Sequence, residues 1–289
     1  MQSFIAVVEC GSMAEAARRL NLTPAAIAAR IRGLEKELGV PLIQRVGRTV
    51  KATEPGLKIL DRAHAVLRDV RDLRATALND APVGEFRLGA SMSTLTGLLP
   101  AALDYLYDTY PKLSVFVEPG TSSDLYHKAV TQNLDAAIIV EPQFVIPKGY
   151  DWQLITAEPL IVLAPTSMAD CHPHELMKTK PFLRYDRSVW GGRMADRYLQ
   201  HHNIHPHERL EVDGLMAIAR LVARGLGVSL VPDWSPDGLD DLRLSRIPLP
   251  RPAPTRRIGL LWAEYAPHAK LAHTFLQAAR RAAAHNVDN

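Results

Sequence analysis

Two sets of side chains in this sequence could bind anionic partners. Arg30, Arg45 and Arg48 lie near the start of the chain, and guanidinium groups suit both base edges and phosphates. Hydroxyl residues cluster at 91–94 and 120–123, each time after a predicted strand and before a predicted helix. Hydroxyls and free backbone N–H groups at a helix start suit a small anion such as a carboxylate. The sequence therefore predicts a polyanion partner for the first segment and a small-anion site in the rest.

The composition is that of a globular chain with more than one domain. It has 289 residues, 47% of them hydrophobic, which suffices for two or three domains. Its longest apolar runs, 160–165 and 228–232, fall far short of the roughly 20 residues of a membrane-spanning helix. Residues 2–4 are not the basic start of a signal peptide, and Cys10 and Cys171 are the only cysteines. We expect a soluble, cytoplasmic protein without a disulfide framework.

The positive charge is concentrated in the first fifth of the chain. Residues 1–60 carry nine Lys or Arg and five Glu, a net charge of +4, and residues 61–80 are balanced. The remaining residues hold 21 basic and 22 acidic groups, a net charge of −1. Such an asymmetry favours a polyanion partner for the first segment.

The first forty residues predict three short helices. Thr23 followed by Pro24 predicts the start of the third, because Thr caps free N–H groups and Pro needs none at the first helical position. Gly39 predicts its end. The residues predicted to face inward are Phe4, Val7, Val8, Ala16, Ala17, Leu20, Ile27, Ile31, Leu34 and Leu38.

The outward face of the third helix suits a close approach to a DNA groove. Small residues surround Arg30, which is our candidate for reading base edges. Residues 42–45 and 49–52 predict a two-stranded wing around Gly47. A solvated face is the alternative for any one arginine, but the joint order of helices, turn and wing favours DNA. The predicted DNA-binding residues are Thr23, Pro24, Ala26, Ala29, Arg30, Arg32, Arg45 and Arg48.

Residues 57–82 predict a long helix that dimerises. Apolar positions step by four and three residues, the heptad pattern of a coiled coil, and balanced charges occupy the other faces. Packing of this helix on its own chain is the alternative. The predicted dimerisation residues are Ile59, Ala63, Val66, Val70, Leu73 and Ala77.

Residues 83–289 predict a two-lobed α/β domain. A strand, a polar loop and a helix follow one another twice, at 85–106 and 113–124 onwards, which favours a parallel sheet with a ligand crevice at the strand ends. The first lobe is expected at about 83–158 and 258–289, and the second at about 159–257. With a winged helix-turn-helix at 1–56 and the linker helix at 57–82, the whole is an α+β multidomain chain.

The sequence resembles the LysR-type transcriptional regulators over nearly its whole length. The segments that carry the resemblance are 4–12, 16–20, 31–45, 53–56, 84–89, 99–100, 110–111, 134–138 and 222–232. Two departures concern the DNA-binding part. The family commonly opens its recognition helix with Ser-Gln-Pro-Ala-Leu-Ser, whereas residues 23–28 read Thr-Pro-Ala-Ala-Ile-Ala, and the first helix lacks a few leading residues. More of the base recognition therefore falls to Arg30.

The resemblance implies an effector domain with a periplasmic-binding-protein-like fold, and a dimer or tetramer built through the linker helix. The effector would lie between the lobes, and we expect a small organic acid. Helix capping is the equal alternative for each hydroxyl, and surface exposure is the alternative for Arg187 and Trp190. The candidate effector-binding residues are Ser91, Ser93, Thr94, Thr121, Ser122, Arg184, Tyr185, Arg187, Trp190 and Asp213.

Catalytic, metal and cofactor motifs are not found in the sequence. It has no Gly-x-Ser-x-Gly elbow and no phosphate-binding loop, and its histidines at 172–174 and 201–207 lack zinc-finger spacing. We therefore expect no enzyme, no metal site and no cofactor, but a transcription regulator whose partners are double-stranded operator DNA, the effector, a second copy and RNA polymerase. An enzyme or a solute-binding receptor built on the two-lobed domain is the competing function. The effector, the operator and the sign of regulation are not readable from the sequence.

Overall fold

The computed structural model describes residues 1–47, 49–78, 85–234 and 242–288. Arg48 lies outside the described residues. The chain forms two compact units, residues 1–84 together with the short segment 131–133, and the remainder of the chain. In the described part of the chain, no helix is both long and apolar enough to cross a membrane.

The first unit begins with three helices, α1 (Gln2–Cys10), α2 (Met13–Arg19) and α3 (Pro24–Leu38). The Thr23 hydroxyl accepts a hydrogen bond from the Ala26 N–H at 3.2 Å, and Gly39 ends α3 with φ of 73°, as the sequence predicts. Leu38 is the exception to the predicted apolar stripe, because it lies at the last turn of α3 and is exposed. The three helices share one core, formed by Phe4, Ile5, Ala6, Val7, Ala16, Ala17, Ile27, Ile31, Leu42 and Ala63.

The predicted wing is an antiparallel hairpin, β1 (Ile43–Val46) and β2 (Thr49–Ala52). Glu35 of α3 holds the start of the wing, since one of its carboxylate oxygens accepts from the Leu42 N–H at 2.8 Å and from the Ile43 N–H at 3.3 Å. The hairpin is therefore tied to the helix whose outward face carries Arg30.

Helix α4 (Glu54–Leu78) is the predicted linker helix, and its seam divides into two parts. Ala63 is buried in the core of the first unit, and Ile59 packs against that core. The expectation that these two residues serve dimerisation is corrected, because they pack within the chain. Val70 and Leu73 are 46% and 69% exposed, Val66 is half-buried, and the Ala77 side chain lies outside the described residues.

The second unit is built on a large mixed sheet. Strand β3 (Glu85–Ala90) pairs in parallel with β4 (Ser114–Pro119) and β5 (Ala136–Val140). Strand β11 (Thr255–Ala263) then runs antiparallel to β5. The parallel pairing expected from the repeated strand–loop–helix units is present in β3, β4 and β5, and β11 adds an antiparallel strand where the chain returns from the second lobe.

The helices of the first lobe cover both faces of this sheet. They are α5 (Met92–Thr96), α6 (Leu98–Thr109), α7 (Ser122–Val130) and α11 (Ala269–Asp288). Helices α6 and α11 share the larger core, and α7 packs in a second core around Leu125 and Leu261. Gly97 divides the single helix expected after β3 into α5 and α6.

Strand β6 (Tyr150–Pro165) joins the two lobes. Its first part, up to Pro159, pairs with β11, and from Leu160 onwards it pairs with β9 (Ser229–Pro232) and β10 (Leu244–Pro248).

The rest of the second lobe packs around this end of the sheet. It contains a 3-10 turn (Thr166–Met168), the helices α8 (Pro173–Thr179), α9 (Trp190–His201) and α10 (Leu215–Ala223), and the parallel pair β7 (Pro181–Tyr185) and β8 (His207–Val212). Two apolar cores lie under these helices.

Candidate functional site

A cavity of about 320 Å³ lies between the two lobes of the second unit. The loops that follow β3 and β4 form one wall, and the segments before α9 and α10 form the other. Seven of the ten candidate effector-binding residues line this cavity: Ser91, Ser93, Thr121, Ser122, Tyr185, Trp190 and Asp213. Met92, Asp124, Val140, Leu215 and Arg256 also line it.

The wall of the first lobe presents hydroxyl groups at two loop ends. The Ser91 and Ser93 hydroxyl oxygens lie 3.3 Å apart. Thr121 lies 3.0 Å from the Ser123 hydroxyl and donates to the Asp124 carboxylate at 2.8 Å. The α7 N-terminus, with its free N–H groups, adds partial positive charge beside them. The Thr121 proton is thus used within its own loop, whereas the Ser91 and Ser93 hydroxyls and the free N–H groups of α7 can donate hydrogen bonds to an anion.

Thr94 does not belong to this wall. It is buried, and its hydroxyl donates to the Ser91 carbonyl at 2.8 Å. Its expected role as an effector ligand is corrected, because the hydroxyl is used inside the turn that begins α5.

Arg256 is the cation of the cavity, and it is 2% exposed. Its Nε donates to Glu158 Oε2 at 2.7 Å, and its Nη2 lies 3.5 Å from the Ser93 hydroxyl oxygen. Tyr185 of the second lobe lines the same cavity, and the charge of Arg256 opposes the rise in the pKa of its phenol. Burial raises the pKa of Glu158, and Arg256 opposes that shift. One guanidinium thus contacts the first-lobe wall and the connecting strand, and it lines the cavity together with Tyr185.

Tyr185, Trp190 and Asp213 form the wall of the second lobe. Tyr185 is buried, and this burial raises the pKa of its phenol. The glycines that follow Trp190 allow α9 to start close to β7, since a Cβ at Gly191 would press on the Tyr185 ring and one at Gly192 would overlap the Asp186 carbonyl. The Trp190 ring also packs against aromatic rings of the first lobe, Tyr126 and Phe144.

Arg184 and Arg187 do not reach the cavity, which corrects their expected role. Arg184 is buried and pairs with Asp196 at 2.7 Å and with Glu208 at 2.6 Å. Arg187 pairs with Glu208 at 2.7 Å and with Glu211 at 2.9 Å. Successive side chains of a strand point to opposite faces, so Arg184 turns away from the cavity that Tyr185 lines.

The outward face of α3 forms a second candidate site. Arg30, Arg32 and Ala29 are exposed, as are Thr23 and Pro24, and Ala26 is half-exposed. Arg45, on the wing, is exposed and donates from Nε to the Gly47 carbonyl at 3.2 Å. Neither Arg30 nor Arg32 has an ion pair or side-chain hydrogen bond within the described residues. Both guanidinium groups are thus available to an outside partner.

Two family models match the chain over nearly its whole length. Residues 1–57 match the bacterial regulatory helix-turn-helix protein of the lysR family, and residues 79–284 match the LysR substrate binding domain. The chain belongs to the LysR family of transcriptional regulators. The regulator CzcR of Bacillus thuringiensis is 30% identical over 80% of this chain and 76% of its own. The activator IlvY of Salmonella typhimurium is 26% identical over 81% of each chain.

Solved LysR-family structures show the same fold. Full-length OxyR from Pseudomonas aeruginosa matches 96% of this chain and 93% of its own with a TM-score of 0.70 at 23% identity. CbnR complexed with its target DNA matches 97% of this chain and 98% of its own with a TM-score of 0.69 at 22% identity. This LysR-type regulator thus combines a helix-turn-helix domain with an effector-binding domain.

Among the residues that the sequence reasoning missed in this regulator are the cavity residues Arg256 and Asp124, and Glu158, the partner of Arg256. An arginine at the edge of the apolar run 258–262 was the available signal, because a charge entering a strand of a core sheet needs a partner. Its partner is 98 positions away, and only the register between β6 and β11 brings Glu158 opposite Arg256.

The histidines at 172–174 and 201–207 lie on the second lobe and do not line the cavity. His174 Nε2 lies 2.7 Å from the Tyr198 hydroxyl oxygen, and the His202 ring centroid lies 4.9 Å from that of His174 with the rings tilted by 50°. Burial, followed by the charges of His202 and His172, lowers the pKa of His174. Across the described ranges, no group of three or more His, Cys, Asp or Glu is placed to hold a metal ion.

Acid should destabilise the effector domain through Glu208. Its hydrogen bond with Arg184 holds the pKa of Glu208 below the ordinary value of 4.5. A carboxylate with a lowered folded pKa stabilises the fold above the ordinary value, and this contribution is lost as the pH falls through the folded value. The carboxylate is 38% exposed, so solvent screening keeps its contribution to about 1 kcal/mol. Glu208→Gln should remove it at pH 7, as measured by urea unfolding.

The control for this measurement is Glu175→Gln. Glu175 is 65% exposed and pairs with Lys178 at 3.8 Å, so its loss should change the free energy of unfolding by less than about 0.5 kcal/mol. If the Glu208 variant and the native chain keep the same difference in stability from pH 7 to pH 3, the Glu208 pairing does not stabilise the fold.

Proposed function

We propose that this LysR-type regulator binds a small organic acid in the cavity between its lobes and changes its binding to operator DNA in response. The observation that carries the proposal is the cavity itself, in which buried Arg256 and the hydroxyl groups of Ser91 and Ser93 line one space. Hydrogen-bond donors fixed before the ligand arrives suit a carboxylate. Residues 83–289 would form this sensor. Its first lobe would comprise about 83–158 and 258–289, its second lobe about 159–257, and the effector would bind in the cleft between them.

The effector proposal is tested with organic acids and their neutral amides. We expect acids to raise the melting temperature and amides to do so less. The double variant Ser91→Ala/Ser93→Ala should lower acid affinity about tenfold or more in calorimetry, because hydrogen bonds to a charged group contribute roughly 1.5 to 3 kcal/mol.

Thr96→Ala is the matched control, since Thr96 lies outside the cavity and its hydroxyl donates to the Met92 carbonyl within α5. Unchanged acid affinity in the double variant would contradict the assignment of these hydroxyls.

We propose that residues 1–56 bind double-stranded DNA, with α3 in the major groove and the wing on the backbone. Exposed Arg30 and Arg32 on α3 and exposed Arg45 on β1 support this assignment. The small residues beside Arg30 permit a close approach of the helix to base edges. RNA polymerase would be a further partner, and we place this activity in the cytoplasm, where an operator is accessible.

Arg30→Ala should weaken binding to the operator by about 1 to 3 kcal/mol and hardly affect random DNA, if Arg30 contacts a guanine edge. Arg45→Ala should lower affinity for both DNAs to a similar extent, because phosphate contacts do not depend on sequence. Fluorescence anisotropy on the two duplexes measures both. Equal losses on both duplexes for Arg30→Ala would place Arg30 at a phosphate instead.

We propose that residues 57–82 hold two copies of the chain together through the exposed part of the α4 seam, giving a dimer or, by further association, a tetramer. Two apolar side chains one helical turn apart, Val70 and Leu73, are largely exposed within one chain. Burial of such a pair against a second helix is favourable, since each buried apolar side chain contributes about 1.5 to 3 kcal/mol.

Replacing Val70 and Leu73 together with Lys should dissociate the protein in sedimentation experiments, because like charges would face one another across the seam. Operator affinity should fall with it, since two half-sites are then no longer bound by one particle. Leu57→Lys is the control, as Leu57 is 60% exposed and lies outside the seam. An unchanged sedimentation coefficient for the double variant would exclude this seam as the interface.

A further inference from the structure

The charges around the cavity differ from those expected for a simple anion. Among the described residues, the charged side chains of its lining are Arg256, Asp124 and Asp213. Arg256 is already paired with half-buried Glu158, so its positive charge is balanced before any ligand arrives. The two aspartates then leave the cavity with an excess of negative charge, which disfavours a ligand that brings only a carboxylate.

The two aspartates have different surroundings. Asp124 lies in the first turn of α7, where its carboxylate accepts from the Thr121 hydroxyl and its N–H donates back to that oxygen at 3.3 Å. The helix N-terminus also offsets a negative charge at that position. Asp124 is therefore stabilised within the first-lobe wall.

Asp213 has no such compensation. It lies before α10 on the opposite wall, and its carboxylate makes no ion pair or hydrogen bond within the described part of the chain. Partial burial, followed by the charge of Asp186, raises the pKa of Asp213, and only Arg256 opposes the shift. Asp213 is exposed on this wall of the cavity, so its carboxylate is accessible to the cationic group of a ligand that enters the cavity.

We propose that the effector is a zwitterion of the amino-acid type, whose carboxylate binds the hydroxyl groups of Ser91 and Ser93 and whose ammonium group binds Asp213. This inference rests on the proposed function, since it specifies the acid that the same cavity accepts. The two charged ends of such a ligand meet donors on one lobe and an acceptor on the other. A cavity of about 320 Å³ leaves space for a side chain beside Val140, Trp190 and Leu215.

The experiment starts from a thermal-shift screen of the twenty L-amino acids and a panel of mono- and dicarboxylic acids on the full-length protein. For the best amino acid, calorimetry then compares three ligands: the amino acid, the same acid without its amino group, and the same amine without its carboxylate. We expect the amino acid to bind at least about tenfold more tightly than either analogue, because each end makes a charge-assisted hydrogen bond.

The variant Asp213→Asn separates the two ends of the ligand. It should lower the affinity for the amino acid by about tenfold or more and leave the affinity for the deaminated acid unchanged or higher. Asp170→Asn is the matched control, because Asp170 is exposed on the same lobe and does not line the cavity. It removes the same charge and should change neither affinity.

The outcomes distinguish this inference from the proposed function. If simple acids bind as tightly as amino acids and Asp213→Asn does not weaken binding of the amino acid, the zwitterion is excluded while the organic-acid sensor stands. If neither amino acids nor other acids bind the native protein, the proposed function itself fails. Both the zwitterion and the proposed function are supported if amino acids bind more tightly, Asp213→Asn abolishes this preference, and Ser91→Ala/Ser93→Ala weakens binding of both classes of acid.

Discussion

The buried ion pair between Arg256 and Glu158 is the constraint on which the effector domain depends. The two residues face each other on β11 and β6, the strands that pair where the lobes meet. Removing one member of a buried pair leaves an uncompensated charge, which typically costs about 3 to 5 kcal/mol. The same guanidinium lies 3.5 Å from the Ser93 hydroxyl oxygen and lines the cavity together with Tyr185, so the pair holds a cation between residues of both walls.

The parts of the fold that sequence could predict are those set by local chemistry. Thr23, Pro24 and Gly39 determine where α3 begins and ends, because capping and left-handed backbone depend on the residue itself. The recurrence of a polar loop between strand and helix likewise located Ser93 and Thr121 on the cavity wall. Such signals need no knowledge of what packs against the element.

The parts that sequence could not predict depend on distant partners. Arg184 and Tyr185 are adjacent in the sequence and equally plausible as ligands. Only the packing of β7 against α9 and its pairing with β8 place Arg184 beside Asp196 and Glu208. The heptad pattern of α4 is continuous, yet Ala63 is buried in the core of the first unit whereas Leu73 is exposed. Periodicity identifies an apolar face but does not say which partner covers each part of it.

Regulation by the proposed effector requires that the ligand distinguish between arrangements of the protein. A ligand that binds two arrangements equally shifts neither, however tightly it binds. A ligand held only by the hydroxyl wall would bind an open and a closed cleft with similar affinity, since that wall belongs to one lobe. A ligand that also contacts Asp213, Tyr185 or Trp190 gains those interactions only when the lobes are close together. The second-lobe contacts therefore supply the differential affinity that can act on the oligomer and its DNA, whereas the first-lobe contacts mainly supply binding strength.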